Sequence, residues 1–228
     1  MSTSSEAART PGEGVEHRST EQHPVVEPAV TKRVVVATRN PGKLAEIRAA
    51  LPFPHWQFVS SAELGDWPEP EESGATFEEN ARIKAVAARE RFALAALADD
   101  SGLEVDALGG EPGVYSSRYS GECATDERNN ERLLTALGGT PAEQRTARFR
   151  CVMVFIDDDG TEVVASGACE GRIGVETRGS GGFGYDPLFW PQATPGRTMA
   201  ELDTTEKNAI SHRGAALSAL RGLIERSK

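Results

Sequence analysis

Asp99 and Asp100 are neighbouring carboxylates at the end of a short apolar run, Leu94 to Ala98, and are followed by Ser101-Gly102. Two such groups repel each other and are costly to desolvate unless something cationic shares them. Where a strand leaves a core, they suit a metal ion or a general base at the mouth of a cleft; a plain turn is the other reading. Thr38-Arg39-Asn40-Pro41-Gly42-Lys43 lies between a strand signal and a helix start. Free backbone N–H groups and the helix dipole favour an anion there, and Lys43 adds a full charge. The spacing is not that of a P-loop, and a capped helix with a solvated lysine uses the same residues.

Further chemistry-bearing residues follow along the chain. Glu71 and Glu72 sit in an acidic loop, and with Asp99 and Asp100 they form a set of oxygen donors. Magnesium needs only one or two carboxylates besides substrate phosphates; a solvated loop is the alternative for the two glutamates. Gly181 to Pro187 (Gly-Gly-Phe-Gly-Tyr-Asp-Pro) combines glycines that admit a close ligand with aromatic faces on which a base can stack. It also suits a loop anchored in the core. Lys207, Ser211, His212 and Arg213 bring donors for carbonyl or phosphate oxygens on a closing helix, or a solvated helix surface. Lys207 is near that helix's start, where the dipole disfavours a cation unless an anion compensates.

The elements that must position these groups are legible in outline. Val34-Val35-Val36-Ala37 reads as a buried strand. Asn40-Pro41 opens a helix with Leu44, Ile47 and Leu51 on one stripe. A second strand is expected over Trp56 to Val59, and an acidic, turn-rich stretch from Ser60 to Gly74. Thr76 and Glu79 form a capping-box pattern, starting a helix that runs to about Phe92 with Phe77, Ala81, Ala85, Ala88 and Phe92 near one face. A loop spans Gly109 to Gly121 and a helix Thr125 to Leu137. Phe149 to Ile156 and Glu162 to Ala168 form a hairpin about Asp-Asp-Asp-Gly, and one helix covers Thr205 to Glu225. Interspersed strands and helices with a long hairpin imply an α/β protein with a mixed sheet and helices packed on it.

The net charge of −10 over 228 residues argues against a generic nucleic-acid surface, which is basic. The three cysteines, Cys123, Cys151 and Cys169, have no C-x-x-C spacing and read as buried or incidental thiols. No apolar run is long enough to span a bilayer, and the first residues lack the apolar stretch of a signal peptide, so a cytoplasmic protein is expected. Residues 1–30 are poor in large apolar groups and are expected to form a disordered tail before one domain over 31–228.

Several motifs occur together and in order: Ala37 to Lys43, Thr76 to Ala81 (Thr-Phe-Glu-Glu-Asn-Ala), Ala98 to Leu103, Gly109 to Tyr119, Gly182 to Pro187, and Lys207 to Arg213. On these motifs the chain, from about Arg33 to about Leu223, resembles the non-canonical purine nucleoside triphosphate pyrophosphatases, also called inosine triphosphatases. The resemblance implies an elongated mixed sheet flanked by helices in two lobes, with the nucleotide in the cleft between them, and a homodimer. It implies that Thr38, Arg39, Asn40, Pro41, Gly42 and Lys43 bind the triphosphate, that Asp100 is general base and metal ligand, and that Glu71 is a second acid at Mg²⁺. Ser101, Phe183, Gly184, Tyr185, Asp186, Lys207, His212 and Arg213 would contact the substrate. Arg39 departs from the pattern, where glycine is frequent, and adds charge near the phosphates. The implied reaction converts ITP, dITP or XTP to the monophosphate and pyrophosphate. Two other classes compete: a nucleotide sensor without turnover, and an aspartyl-phosphate phosphatase, whose D-x-D spacing the adjacent acids do not match.

Overall fold

The computed structural model describes Met1 and residues 32–226. The tail expected over 1–30 therefore lies outside the described residues, Met1 apart. The described strands form a six-stranded mixed sheet in the order β2-β1-β3-β4-β5-β6. They are β1 (Lys32–Val36), β2 (Trp56–Ser60), β3 (Ala95–Val105), β4 (Thr146–Ile156), β5 (Glu162–Ile173) and β6 (Phe189–Pro191). β1 pairs in parallel with β2 on one side and β3 on the other; β3, β4, β5 and β6 continue antiparallel. The helices are α1 (Pro41–Ala50), the short α2 (Ser61–Leu64), α3 (Phe77–Phe92), α4 (Asp126–Ala136), α5 (Thr204–Ile210) and α6 (His212–Arg226).

Apolar spacing explains the layers. Leu44, Ile47 and Leu51 of the α1 stripe pack with Ala216, Leu217, Leu220 and Ile224 of α6 against Val34, Val36, Ala95 and Leu97. On the other face, Ala81, Ala85 and Ala88 of α3 lie over Val35, Ala96, Ala98 and Val154. The alanines let the helix approach the sheet closely, while each buried Leu, Ile or Val contributes about 1.5–3 kcal/mol by leaving water. A third cluster at the far end of the sheet joins Leu103, Leu133, Leu137, Ile173, Leu188 and Phe189. The clusters divide the core into two lobes along one sheet.

Arg145 ties the second lobe together. Buried before β4, it donates from Nε to the Thr140 carbonyl at 3.0 Å, from Nη1 to Gly174 at 3.1 Å and from Nη2 to Leu137 at 3.0 Å. Arg145→Met would leave these carbonyls short of donors. It is expected to cost about 2 kcal/mol and lower Tm by about 4–8 °C in thermal unfolding; an unchanged Tm would contradict that role.

Several elements differ from the sequence reading. The strand carrying the acids does not stop at them: β3 continues to Val105, because β4 pairs with it across the whole stretch, Asp99 opposite Met153 and Asp100 opposite Val152. The closing helix is broken. Ser211 has extended backbone (φ −70°, ψ 143°) between α5 and α6, so Lys207 and Ser211 do not share a helix face. The capping box at Thr76 is half formed: Thr76 Oγ1 accepts from the Glu79 N–H, but Glu79 accepts from Ala75 instead. The acidic stretch after Ser60 begins with α2, which Ser60 and Glu63 cap reciprocally.

Candidate active site

β1 is flanked by β2 and β3; the crossover from β1 to β2 runs through α1 on one face, and that from β2 past β1 to β3 runs through α3 on the other. A crevice opens at such a switch point, outside the carboxyl ends of the parallel strands. β1 pairs with β3 only as far as Val36 opposite Leu97. Beyond that point β3 runs on, so Ala98 to Ser101 lie along the crevice beside the turn that follows β1.

That turn is built by side chains. Asn40 Oδ1 accepts from the N–H groups of Gly42 at 2.8 Å and Lys43 at 3.3 Å, and the Asn40 N–H donates to Thr38 Oγ1 at 3.1 Å. The buried Ser61 hydroxyl donates to the Thr38 carbonyl at 3.2 Å, and Arg39 Nη2 donates to the Trp67 carbonyl at 2.7 Å. The first amides of α1, expected to be free for an anion, are therefore engaged by the Asn40 cap. Pro41 has no N–H to offer. The attraction for an anion there rests on the helix dipole and on the side chains of Lys43 and Arg39.

Strand alternation separates the two acids. Ala95 and Leu97 face α1 and α6, whereas Ala96 and Ala98 face α3. Asp99 and Ser101 therefore share the first face, and Asp100 points to the second. Asp99 is 5% exposed, and its Oδ2 lies 2.9 Å from Lys43 Nζ, 3.7 Å from Arg213 Nε and 3.2 Å from the donating Ser101 hydroxyl. Arg213 also reaches Glu46 of α1 through Nη1 at 2.9 Å. Burial alone would raise the Asp99 pKa, but the Lys43 and Arg213 charges outweigh it and hold the carboxyl well below the usual range.

The other face carries a different set. Asp100 Oδ2 accepts from Asn80 Nδ2 at 3.2 Å, and Lys84 Nζ lies 3.4 Å from Asp100 Oδ1 and 2.8 Å from Glu72 Oε1. Arg118 Nη1 is 3.5 Å from the second Glu72 oxygen. Burial raises the Asp100 pKa, and the Glu72 charge adds to this against the opposing pull of Lys84. Lys84 is buried as well, which would lower its pKa, but Asp100 and Glu72 together raise it. The structure brings Glu72, and not the exposed Glu71, to Asp100. No group of three or more His, Cys, Asp or Glu side chains suited to a metal occurs among the described residues. The Asp100–Glu72 pair fits a hard cation that takes its other ligands from phosphate and water. A divalent ion there would also offset the repulsion that raises the Asp100 pKa.

Asn80, Lys84, Glu46 and Arg118 were not singled out from the sequence. The available signal was a buried polar pair four residues apart, Asn80 and Lys84, on the alanine stripe of α3, which an apolar core would not use.

The glycine-rich loop meets α5 through Lys207. Phe183 is 66% exposed and presents a free face, with Lys207 Nζ 4.6 Å from its ring centre. Asp186 is buried, accepts from the Phe183 N–H at 2.9 Å and pairs with Lys207. It is thus the anion that Lys207 needs. Tyr185 is instead a core residue whose hydroxyl donates to the Ser116 carbonyl at 2.9 Å. Gly184 is pinned to α4, donating to Asp126 at 2.6 Å and accepting from Asn130 at 2.8 Å. The His212 ring stacks on Phe149, and its Nδ1 is buried without a hydrogen-bond partner among the described residues.

The chain is similar to known proteins over most of its length. The dITP/XTP pyrophosphatase of Geobacter sulfurreducens is 54% identical over 189 residues, covering 83% of this chain and 94% of that protein. The dITP/XTP pyrophosphatase of Cutibacterium acnes is 50% identical over 191 residues, covering 82% and 94%. The solved structure of the Staphylococcus aureus Ham1 protein superposes with a TM-score of 0.79 at 41% identity, covering 86% of this chain and all of that one. The Ham1 family model matches residues 34–223, and the chain belongs to that family.

Proposed function

We propose that the crevice along β3 hydrolyses non-canonical purine nucleoside triphosphates (dITP, XTP and ITP) to the monophosphate and pyrophosphate. The observation that carries the reading is the division of labour between Asp99 and Asp100. One acid sits on the face that gathers Lys43 and Arg213, the other on a face with a raised pKa and a second carboxylate. The names of the relatives supply the substrate class.

In this reading water attacks the α-phosphorus, and the bond to the bridging oxygen of pyrophosphate breaks. Asp100 orients the water and accepts its proton. Lys43, Arg39 and the α1 dipole offset the charge that builds on the leaving pyrophosphate. Asp100 and Glu72 would hold Mg²⁺, which supplies Lewis-acid neutralisation of phosphate oxygens when bound. In this reading Phe183 would offer the stacking face for the purine, and His212 and Lys207 would meet its polar edge. A donor aimed at a 6-oxo group would meet a 6-amino group donor to donor, an unpaired contact that costs about 1–3 kcal/mol. GTP shares the 6-oxo group, so its exclusion needs a further contact at position 2. The reading includes a homodimer, carried by the family resemblance, and action in the cytoplasm, the expectation drawn from the sequence. No helix among the described residues is long and apolar enough to cross a membrane.

The test is pyrophosphate release from dITP, ITP, XTP, ATP and GTP with and without Mg²⁺. Release from the first three and little from ATP is expected. ATP turnover equal to ITP turnover, or orthophosphate as the product, would refute the reading.

A further inference from the structure

We propose that Phe149 is a positioning residue for His212, and through it a determinant of which purine the crevice accepts. The inference rests on the reading above, in which His212 meets the base. A histidine at a working site is commonly held by a hydrogen bond from one ring nitrogen, which fixes both tautomer and ring plane. Among the described residues, none supplies that anchor to His212 Nδ1. Its ring instead lies 5.2 Å from the Phe149 ring, centre to centre, at an interplanar angle of 18°. Phe149 is in turn backed by Phe189, with centres 4.6 Å apart and planes at 54°. It stands on β4, locked between Leu103 of β3 and Cys169 of β5 in the ladder. The imidazole plane is therefore set by a side chain on a rigid central strand.

The charge state of the imidazole follows from the same enclosure. Burial is the main cause that holds His212 down to about 3, helped by Arg213 of α6, Lys207 of α5 and Lys43 of α1 and opposed by Asp99 of β3. A neutral ring has one donor and one acceptor nitrogen, so the sense of its contact with a purine depends on which edge is presented. Hydrogen bonds weaken steeply with misalignment. A ring free to turn would satisfy 6-amino and 6-oxo groups more evenly, whereas the stacked ring presents one edge, and its enclosed Nδ1, with no acceptor among the described residues, favours the tautomer that carries the proton on Nε2 as a donor.

The experiment compares Phe149→Leu, which keeps apolar bulk but removes the stacking face, with Phe149→Tyr, which retains it. Far-ultraviolet circular dichroism and thermal melts check that both fold. In Phe149→Leu the ratio of kcat/KM for dITP to that for dATP is expected to fall about tenfold, the scale of one misaligned hydrogen bond. Phe149→Tyr should restore it. The second measurement is proton NMR titration of the unliganded protein, with the His212 resonance assigned by its loss in His212→Asn. The parent His212 should not titrate between about pH 5 and 8; in Phe149→Leu the midpoint should move up toward the free value of about 6.5. A folded Phe149→Leu with an unchanged ratio and a silent His212 overturns the proposal. If the parent itself does not prefer dITP, the functional reading fails, and the titration alone still decides whether Phe149 holds the ring. If Phe149→Leu does not fold, Phe149→Met replaces it with the same readouts.

Discussion

Asp100→Asn is expected to slow pyrophosphate release from dITP by about a thousandfold, the scale of a lost general base, while leaving the protein at least as stable as the parent. The amide is isosteric and its Oδ1 can still accept from Asn80 Nδ2, which now lies 3.2 Å from the carboxylate. It cannot take the proton of an attacking water. The stability half follows from linkage. Burial and the Glu72 charge raise the Asp100 pKa, so its charged form is worse off in the folded protein than in the unfolded chain even with Lys84 beside it. Removing that charge removes the cost at neutral pH. Stopped-time assays for pyrophosphate and thermal melts on one preparation test both halves. A variant that keeps activity within a few-fold of the parent would remove Asp100 from the chemistry. One that loses activity and also melts much lower would make its role structural.

Asp99→Asn, one residue earlier, is expected to behave oppositely: a cost of about 3 kcal/mol and a fall in Tm of about 6–12 °C. The Asp99 side chain is 4% exposed and serves Lys43 and Arg213. Losing its charge leaves Arg213, itself nearly enclosed, with Glu46 as its remaining ion-pair partner. The sign with pH is fixed by the direction of the shift. The folded pKa of Asp99 lies below the unfolded value of about 3.9, so its stabilisation is complete above that value and is lost as pH falls through the folded one. The variant should therefore show a shallower acid limb of stability than the parent. Equal Tm values for the parent and Asp99→Asn would mean that Lys43 and Arg213 find other partners, and would sink the account of this face.

Much of the frame was legible in the residues. Asn40 and Pro41 start α1, the Leu44-Ile47-Leu51 stripe is buried, and the helix from Phe77 to Phe92 has the bounds its spacing predicts. Local pattern suffices there because caps and apolar periodicity act within a few residues. Less legible were the points where a distant partner decides. β3 passes through the acids because β4 supplies its ladder from some fifty residues further on. α5 and α6 are separate because Ser211 turns out of the helix at the site and caps α6, its Oγ accepting from the Gly214 N–H at 3.0 Å; a lone serine inside a helical pattern, with no proline beside it, did not mark that break. Glu72 replaces Glu71 beside Asp100 because Lys84, on α3, reaches it.

The sequence by itself determined the ingredients: the ordered motifs and family, the caps, the apolar stripes, and a pair of carboxylates too costly to be idle. Its residue types presented Asp99 and Asp100 as one repelling pair in need of a shared cation, and the family resemblance set Asp100 apart as the base. Only the tertiary structure decided what surrounds each of them. In an extended strand neighbouring side chains point to opposite faces, and helices packed on both faces give each acid its own nearest cation, Lys43 for Asp99 and Lys84 for Asp100. Lys43 and Arg213 lower the pKa of one, while burial with Glu72 raises that of the other despite Lys84. Chain adjacency carries no information about which face a side chain meets; that depends on where the strand runs and what covers it.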